Sequence, residues 1–342
     1  MHTTLTPSGR EHDPPSSVAE PLVRVDGLRV HYPVGRAGFW GQKKLFLHAV
    51  DDVSFEIRPG ETLGLVGESG SGKTTTGRAI LRKVPITDGT IEFRGEDITR
   101  LGGEQLRRMR SRMQLVFQDP YASLNPRQRI LETIAEPMVV HGRVKRASQA
   151  KDRVAELLEL VGLPLDVMYR YPYAFSGGQR QRVGIARALS LEPDFIVADE
   201  PVSALDVSIR AQVVNLMQDI QERLGLTYLF IAHDLSVVRH ISHRIAVMYA
   251  GKIVEIGSRD QIYDDPQHPY TKALLSAVPI PDPKLEVQRK RTVLSGPFPD
   301  LIDPPTGCRF ESRCPIAVER CLHDPPSLEP KAPGHRAACW LS

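Results

Sequence analysis

Eight consecutive residues constrain this chain more than any others: Gly67-Glu68-Ser69-Gly70-Ser71-Gly72-Lys73-Thr74, which match the phosphate-binding pattern G-x-x-x-x-G-K-[ST]. The pattern needs a strand before it and a helix after it. The apolar run Leu63 to Val66 supplies the first, and Thr75 to Leu81 reads as the second. In such a turn the glycines let successive backbone N–H groups curl around phosphate oxygens, and the helix N-terminus that follows adds a favourable potential for anions. Lys73 is placed to neutralise β- and γ-phosphate charge, the Thr74 hydroxyl to ligate Mg²⁺, and Thr75 continues the loop.

Further apolar runs, Phe195 to Ala198 and Tyr228 to Ala232, are continuous rather than alternating, as expected of strands covered on both faces of a mainly parallel sheet. Between them Ile209, Val213, Leu216, Met217, Ile220 and Leu224 recur at helical spacing. Upstream, Ser148 opens a segment in which Val154, Leu157, Leu158 and Val161 share that period before Gly162. Strands alternating with amphipathic helices predict a doubly wound α/β core of the P-loop type.

The apolar run at Phe195 ends in Asp199-Glu200. A carboxylate at the end of that strand can reach the Mg²⁺ shell, and the acid beside it can polarise an attacking water, so Asp199 and Glu200 are assigned those tasks. A third segment, Phe175-Ser176-Gly177-Gly178-Gln179-Arg180-Gln181-Arg182, precedes a helix-like run from Val183 to Leu189. A hydroxyl, two small glycines and a helix N-terminus make an anion receptor that can be used from across an interface.

Ser176 to Gln179 resembles the signature of the ABC ATPases, with Phe175 where many signatures carry Leu. In that family the signature binds the γ-phosphate of ATP held by the partner's phosphate loop. The resemblance covers nearly all of residues 22 to 342 and follows the family's motif order. It implies that Gln118 is the Q-loop glutamine reaching Mg²⁺ and the attacking water. It further implies that Ser203-Ala204-Leu205-Asp206 is the D-loop at the dimer interface, that His233 is the switch histidine on the γ-phosphate, and that Tyr32 stacks on adenine. About a hundred residues separate Lys73 from Ser176 without sustained heptads, which favours a transporter over the long-armed DNA-maintenance ATPases of the same family.

More narrowly, Phe117 to Pro126, His268 to Leu275 and the cysteine-bearing end resemble the ATPase subunits of dipeptide/oligopeptide importers, with nickel and other small-solute importers as close alternatives. That resemblance implies a heterodimer with a related ATPase, two transmembrane permease subunits and an extracytoplasmic solute-binding protein. A net charge of +3 gives no support for nucleic acid as a partner. No stretch approaches the roughly 18 apolar residues of a membrane span, and the N-terminus has no apolar signal region, so the chain is expected to stay in the cytoplasm; the resemblance implies a peripheral place there, on the cytoplasmic face of the membrane.

The expected organisation is a disordered tail over 1–20, an ATPase domain over 21–278 with a helical subdomain at about 119–190, and a distinct C-terminal segment over 279–342. That last segment holds 12 of the 28 prolines and all four cysteines, Cys308, Cys314, Cys321 and Cys339. Thiols grouped in this way point to one local metal or cluster site, although the tight C-x2-C knuckles of zinc ribbons are absent. The family resemblance implies a [4Fe–4S] cluster; zinc and unliganded thiols stay open beside it.

Overall fold

A computed structural model of the chain describes residues 20–37, 43–119, 123–278 and 294–342. The expectation of disorder before residue 20, and residues 120–122 of the segment after Gln118, lie outside these residues.

Among the described residues twelve strands form two sheets: β1 (Val23–Ala37), β2 (Lys43–Ile57), β3 (Thr62–Val66), β4 (Asp88–Phe93), β5 (Glu96–Asp97), β6 (Met113–Val116), β7 (Phe195–Asp199), β8 (Thr227–Ala232), β9 (Arg244–Tyr249), β10 (Lys252–Ser258), β11 (Glu329–Ala332) and β12 (His335–Ala337). The larger sheet has the order β11-β12-β10-β9-β3-β8-β7-β6, parallel from β9 through β6 and antiparallel at β10, β12 and β11. The smaller sheet, β2-β1-β4-β5, is wholly antiparallel.

The continuous apolar runs are covered on both faces. On β7 and β8, Ile196, Ala198, Tyr228 and Phe230 point into one core with the helices, while Phe195, Val197, Leu229 and Ile231 point into a second core with the small sheet. Pairing of Val66 with Ala232 and of Asp199 with Ile231 brings the C-terminal ends of β3, β7 and β8 level. The loops that follow these strands therefore emerge side by side, where open α/β sheets bind ligands.

Helices Ile130–Val140, Lys151–Leu160 and Gly177–Leu189 pack together between β6 and β7, in the stretch expected to be a helical subdomain. The helix anticipated from Val183 begins at Gly177, because Ser176 caps it: the Gln179 N–H donates to its hydroxyl, and the Gln179 side chain accepts from the Ser176 N–H.

Pro-rich composition suggested a C-terminal segment set apart from the core, but the described part is fastened to it. Its strand β12 pairs with β10, where Pro-bearing β11 forms the sheet edge. Phe310 is 1% exposed within the main core. Arg309 reaches Asp51 and the Ala250 carbonyl, and the buried Glu255 carboxylate holds His335 at 2.8 Å together with the N–H groups of Gln267 and His268. Hydrophobic anchors and charge pairs thus do what regular secondary structure does elsewhere.

Candidate functional site

The site is built where β3 gives way to helix Lys73–Ile80. Gly67 has φ 153°, and a Cβ there would lie 2.1 Å from the Met248 carbonyl oxygen. Gly72, at φ 105°, leaves no more room beside the Ala49 carbonyl, 2.3 Å from where a Cβ would stand. Only glycine fits either position, and the loop is thereby pressed against the strand ends. Thr76 donates to the Gly72 carbonyl as the first regular helical bond, so the N–H groups ahead of it have no intrahelical acceptor and are available to an anion.

Lys73 is 4% exposed, and its Nζ donates to the carbonyls of Gly67 and Glu68, each at 2.8 Å. Burial lowers its pKa, opposed by the carboxylates of Glu200, Asp199 and Glu68. The ammonium is therefore held over the loop by weak acceptors that a phosphate oxygen can replace. Thr74 donates its hydroxyl to Asp199 Oδ1 at 2.7 Å. Asp199 is 3% exposed, and burial raises its carboxyl pKa against the opposing pull of Thr74 and Arg78. A buried carboxylate with so little compensation is suited to a cation, and together with the Thr74 hydroxyl it makes an oxygen donor set of the kind Mg²⁺ takes.

Glu200 follows in the left-handed region at φ 47°, its N–H bonded to the Ile231 carbonyl. This conformation turns its side chain toward Gln118 and His233: Gln118 Nε2 donates to Glu200 Oε2 at 2.8 Å, and His233 Nδ1 lies 3.3 Å from the same oxygen. The Ser203 hydroxyl donates to the Glu200 carbonyl at 3.1 Å, tying the next loop to the same corner. Lys73, Thr74, Asp199, Gln118, Glu200 and His233 are thus brought together from four separate stretches of sequence. Ser69 and Gly70 are exposed at the loop tip, Ser71 is buried beneath it, and Thr75 is half-buried.

The remaining candidates lie apart. Ser176, Gly177, Gly178 and Gln179 form the start of their own helix, where a Cβ on Gly178 would meet Ile209 Cγ2 at 2.4 Å. Among the described residues no hydrogen bond joins them to residues 67–75. Asp206 is exposed at the head of helix Val207–Leu224, beside Val207, which is 80% exposed. Tyr32 stands on β1 opposite Leu47 of β2, half-buried against the core of the small sheet.

All four cysteines are free and border one small pocket with His268, Phe310 and Trp340. Burial pushes the Cys308 thiol up to about 11 and raises Cys314 as well, with the neighbouring cysteines adding to both shifts. Backbone N–H groups two residues ahead point back at three of the sulfurs, from Phe310 to Cys308, Ile316 to Cys314 and Leu341 to Cys339. Such N–H donors suit thiolates whose charge a bound cation stabilises. Zinc at a Zn–S distance of about 2.3 Å would draw thiols to roughly 3.8 Å of one another. Among the described residues, however, the three-donor group closer than 4.8 Å is His31, His48 and Asp51, not the cysteines. In that group the Asp51 carboxylate already pairs with Arg309 and lies 3.5 Å from Arg29, so it offers little to a cation.

Sequence reasoning passed over two residues at the site, Tyr270 and Arg313. The Tyr270 hydroxyl accepts the Glu68 N–H at 2.8 Å, and Arg313 binds the Glu68 carboxylate at 2.8 and 3.2 Å. Tyr270 lies within the quoted His268 to Leu275 stretch, but no local pattern links it, or Arg313, to a loop some 200 residues upstream.

Two family models match the chain: one described as ABC transporter over residues 50–203, and one described as oligopeptide/dipeptide transporter, C-terminal region, over residues 254–321. The oligopeptide transport ATP-binding protein OppF of Salmonella typhimurium is 52% identical over 311 residues, 90% of this chain and 92% of that protein. AppF of Bacillus subtilis, also an oligopeptide transport ATP-binding protein, is 50% identical over 323 residues, 94% of this chain and 98% of its own length. Among solved structures, the dimeric post-hydrolysis state of the ATP-binding cassette MJ0796 bound to ADP and Pi has a TM-score of 0.61 and 28% identity, covering 69% of this chain and 98% of that one.

Proposed function

Because the chain belongs to the ATP-binding proteins of ABC transporters, in their oligopeptide/dipeptide group, we propose that it binds and hydrolyses ATP to drive a peptide importer whose membrane-spanning subunits are other chains. The observation that carries this reading is the meeting of Gln118, Glu200 and His233 beside the Lys73, Thr74 and Asp199 cradle. A phosphate loop alone suits any nucleotide-binding protein; an acid gripped by a glutamine and a histidine next to it suits hydrolysis.

The triphosphate lies against the N–H groups at the start of helix Lys73–Ile80, which have no intrahelical acceptor, and Lys73 exchanges the Gly67 and Glu68 carbonyls for phosphate oxygens. Thr74 and Asp199, with Gln118, would hold Mg²⁺, which would neutralise charge developing on the transferred phosphoryl group. Glu200 orients the attacking water and accepts its proton, Gln118 positions that water, and His233 donates toward the γ-phosphate. Tyr32 supports the adenine by stacking.

Ser176, Gly177, Gly178 and Gln179, which make no hydrogen bond to this chain's own loop among the described residues, serve the ATP of a second ATPase subunit, with Asp206 in the loop that crosses between the two. A preformed, capped helix N-terminus needs no rearrangement to receive a phosphate presented from outside. ATP therefore closes a dimer, a heterodimer with a related ATPase, and hydrolysis reopens it. Closure is transmitted to two permease subunits on the cytoplasmic face of the membrane, which receive peptide from an extracytoplasmic binding protein. Among the described residues no helix is long and apolar enough to cross a membrane, which suits a peripheral subunit.

Cys308, Cys314, Cys321 and Cys339 would hold an inorganic centre, their sulfurs helped by backbone N–H donors, and the lack among the described residues of three cysteine sulfurs within 4.8 Å of one another favours a [4Fe–4S] cluster over zinc. Such a centre would cross-link a segment that has little core of its own. Iron, sulfide and zinc analysis after anaerobic purification tests this: about four irons and four sulfides per chain is expected, and stoichiometric zinc or a metal-free, folded segment contradicts it. For the transport reading, a tag on this chain should retrieve a permease from the native membrane fraction; DNA-stimulated hydrolysis with no stable permease contradicts it.

A further inference from the structure

Residue 68 of the phosphate loop is held at three points, and two of them come from the C-terminal part of the chain. Lys73 binds its carbonyl at 2.8 Å, as the loop itself dictates. The Tyr270 hydroxyl takes its N–H, and Arg313 grips its carboxylate with both terminal nitrogens. The Arg313 side chain is only 12% exposed; its Nη1 lies 3.4 Å from the Tyr249 hydroxyl, and its guanidinium stands 5.9 Å over the Tyr249 ring. Tyr249 and Tyr270 in turn pack on Phe310, with ring centroids 5.2 and 5.4 Å away. A two-point grip by a planar guanidinium, backed by buried rings, fixes both position and charge.

Arg313 is also the chain neighbour of Cys314. The short turn Glu311–Arg313 is closed by the Arg313 N–H to the Phe310 carbonyl at 3.1 Å and by the Cys314 N–H to the Glu311 carbonyl at 3.0 Å. Loosening the cysteine pocket therefore frees the turn that carries the guanidinium.

We propose that Arg313 is a positioning residue that couples the four-cysteine pocket to nucleotide binding. It neutralises Glu68, which would otherwise present a bare carboxylate to the incoming triphosphate, and it holds the loop in its nucleotide-accepting shape. The inference rests on the nucleotide-site reading above. Coupling of this kind is reciprocal: what strengthens the grip on Glu68 favours ATP, and bound ATP favours an intact cysteine pocket.

The test uses the purified full-length chain and a fluorescent ATP analogue, with the dissociation constant as readout. Arg313→Ala should weaken binding about 5-fold or more, the lower part of the range for coupling between distinct sites. Arg313→Lys, which keeps the charge but not the fork, should fall between the two. Adding Glu68→Gln to Arg313→Ala should recover most of the loss, because it removes the carboxylate that Arg313 no longer covers. A merely structural role for Arg313 would show no such recovery. Cys314→Ser should weaken binding in the same direction and add little to Arg313→Ala. Equal affinity in Arg313→Ala and the unaltered chain overturns the proposal, as does a double variant no better than Arg313→Ala alone. Unchanged affinity in Cys314→Ser breaks the link to the cysteine pocket. If the unaltered chain itself fails to bind the analogue, the nucleotide-site reading falls instead.

Discussion

Asp199→Asn should make the nucleotide-free protein slightly more stable while stopping its chemistry. The substitution removes a charge from a side chain in a residue only 3% exposed and keeps an oxygen for the Thr74 hydroxyl, now 2.7 Å away. What it gives up is a 3.8 Å ion pair with Arg78, whose side chain is 49% exposed, and such pairs contribute little. Burial outweighs both partners, since the carboxyl pKa stands above its ordinary value of 3.8. Relief of an under-compensated charge at a functional site is worth about 1 kcal/mol. With an unfolding entropy of roughly 2 cal/mol/K per residue, that raises Tm by about 1–2 °C in a chain of this length. The sign of the pH dependence follows. A carboxyl with a raised folded-state pKa favours the fold below its unfolded value and loses that contribution as pH rises through the folded one. The advantage of Asn should therefore vanish in acid, where the wild-type group is neutral, and be complete at neutral pH. Hydrolysis should fall on the order of 10²-fold or more, because the amide cannot replace a carboxylate in the cation's donor set. Calorimetry without nucleotide or Mg²⁺ and a phosphate-release assay read the two effects. A Tm several degrees lower, or turnover unchanged, would refute the reasoning.

Lys73→Ala should abolish tight ATP binding, since it removes the buried cation that faces the phosphates; near-normal affinity in equilibrium dialysis contradicts the assignment. Glu200→Gln should bind ATP yet turn it over on the order of 10²-fold more slowly, accumulating a closed dimer visible by light scattering. Phe310→Ala should destabilise the docked C-terminal segment by about 3–5 kcal/mol, because the ring is 1% exposed and packed among Tyr249, Tyr270 and His268. Limited proteolysis should then cleave after residue 294 well before the ATPase core, and identical digestion of both proteins counts against the packing account.

Much of the nucleotide site can be read in the sequence because its physics is local. Leu63 to Val66 gives way to a loop whose glycines have no alternative, and the apolar runs at Phe195 and Tyr228 became β7 and β8 almost to the residue. Register then did the rest, bringing Asp199 and Glu200 beside His233. The antiparallel sheet of β1, β2, β4 and β5 was not anticipated: its long strands carry bulges and charged cross-strand pairs such as Arg24 with Glu56, which blur the alternation. The C-terminal segment hid its attachment for a different reason. Its proline content argues against long regular elements, and the contacts that fasten its described part, Arg309 to Asp51, His335 to Glu255 and Arg313 to Glu68, join residues far apart in the chain. Side-chain pairing over such distances leaves no periodicity to find.

The central claim is that ATP hydrolysis at this site moves peptide through a permease held by other chains. The direct measurement is uptake of a labelled oligopeptide into proteoliposomes carrying the complex retrieved through this subunit, with the peptide-loaded binding protein on one side and MgATP on the other. Accumulation that requires ATP and disappears with Glu200→Gln in this chain is the predicted result. Steady hydrolysis by the intact complex with no peptide crossing the membrane would contradict it.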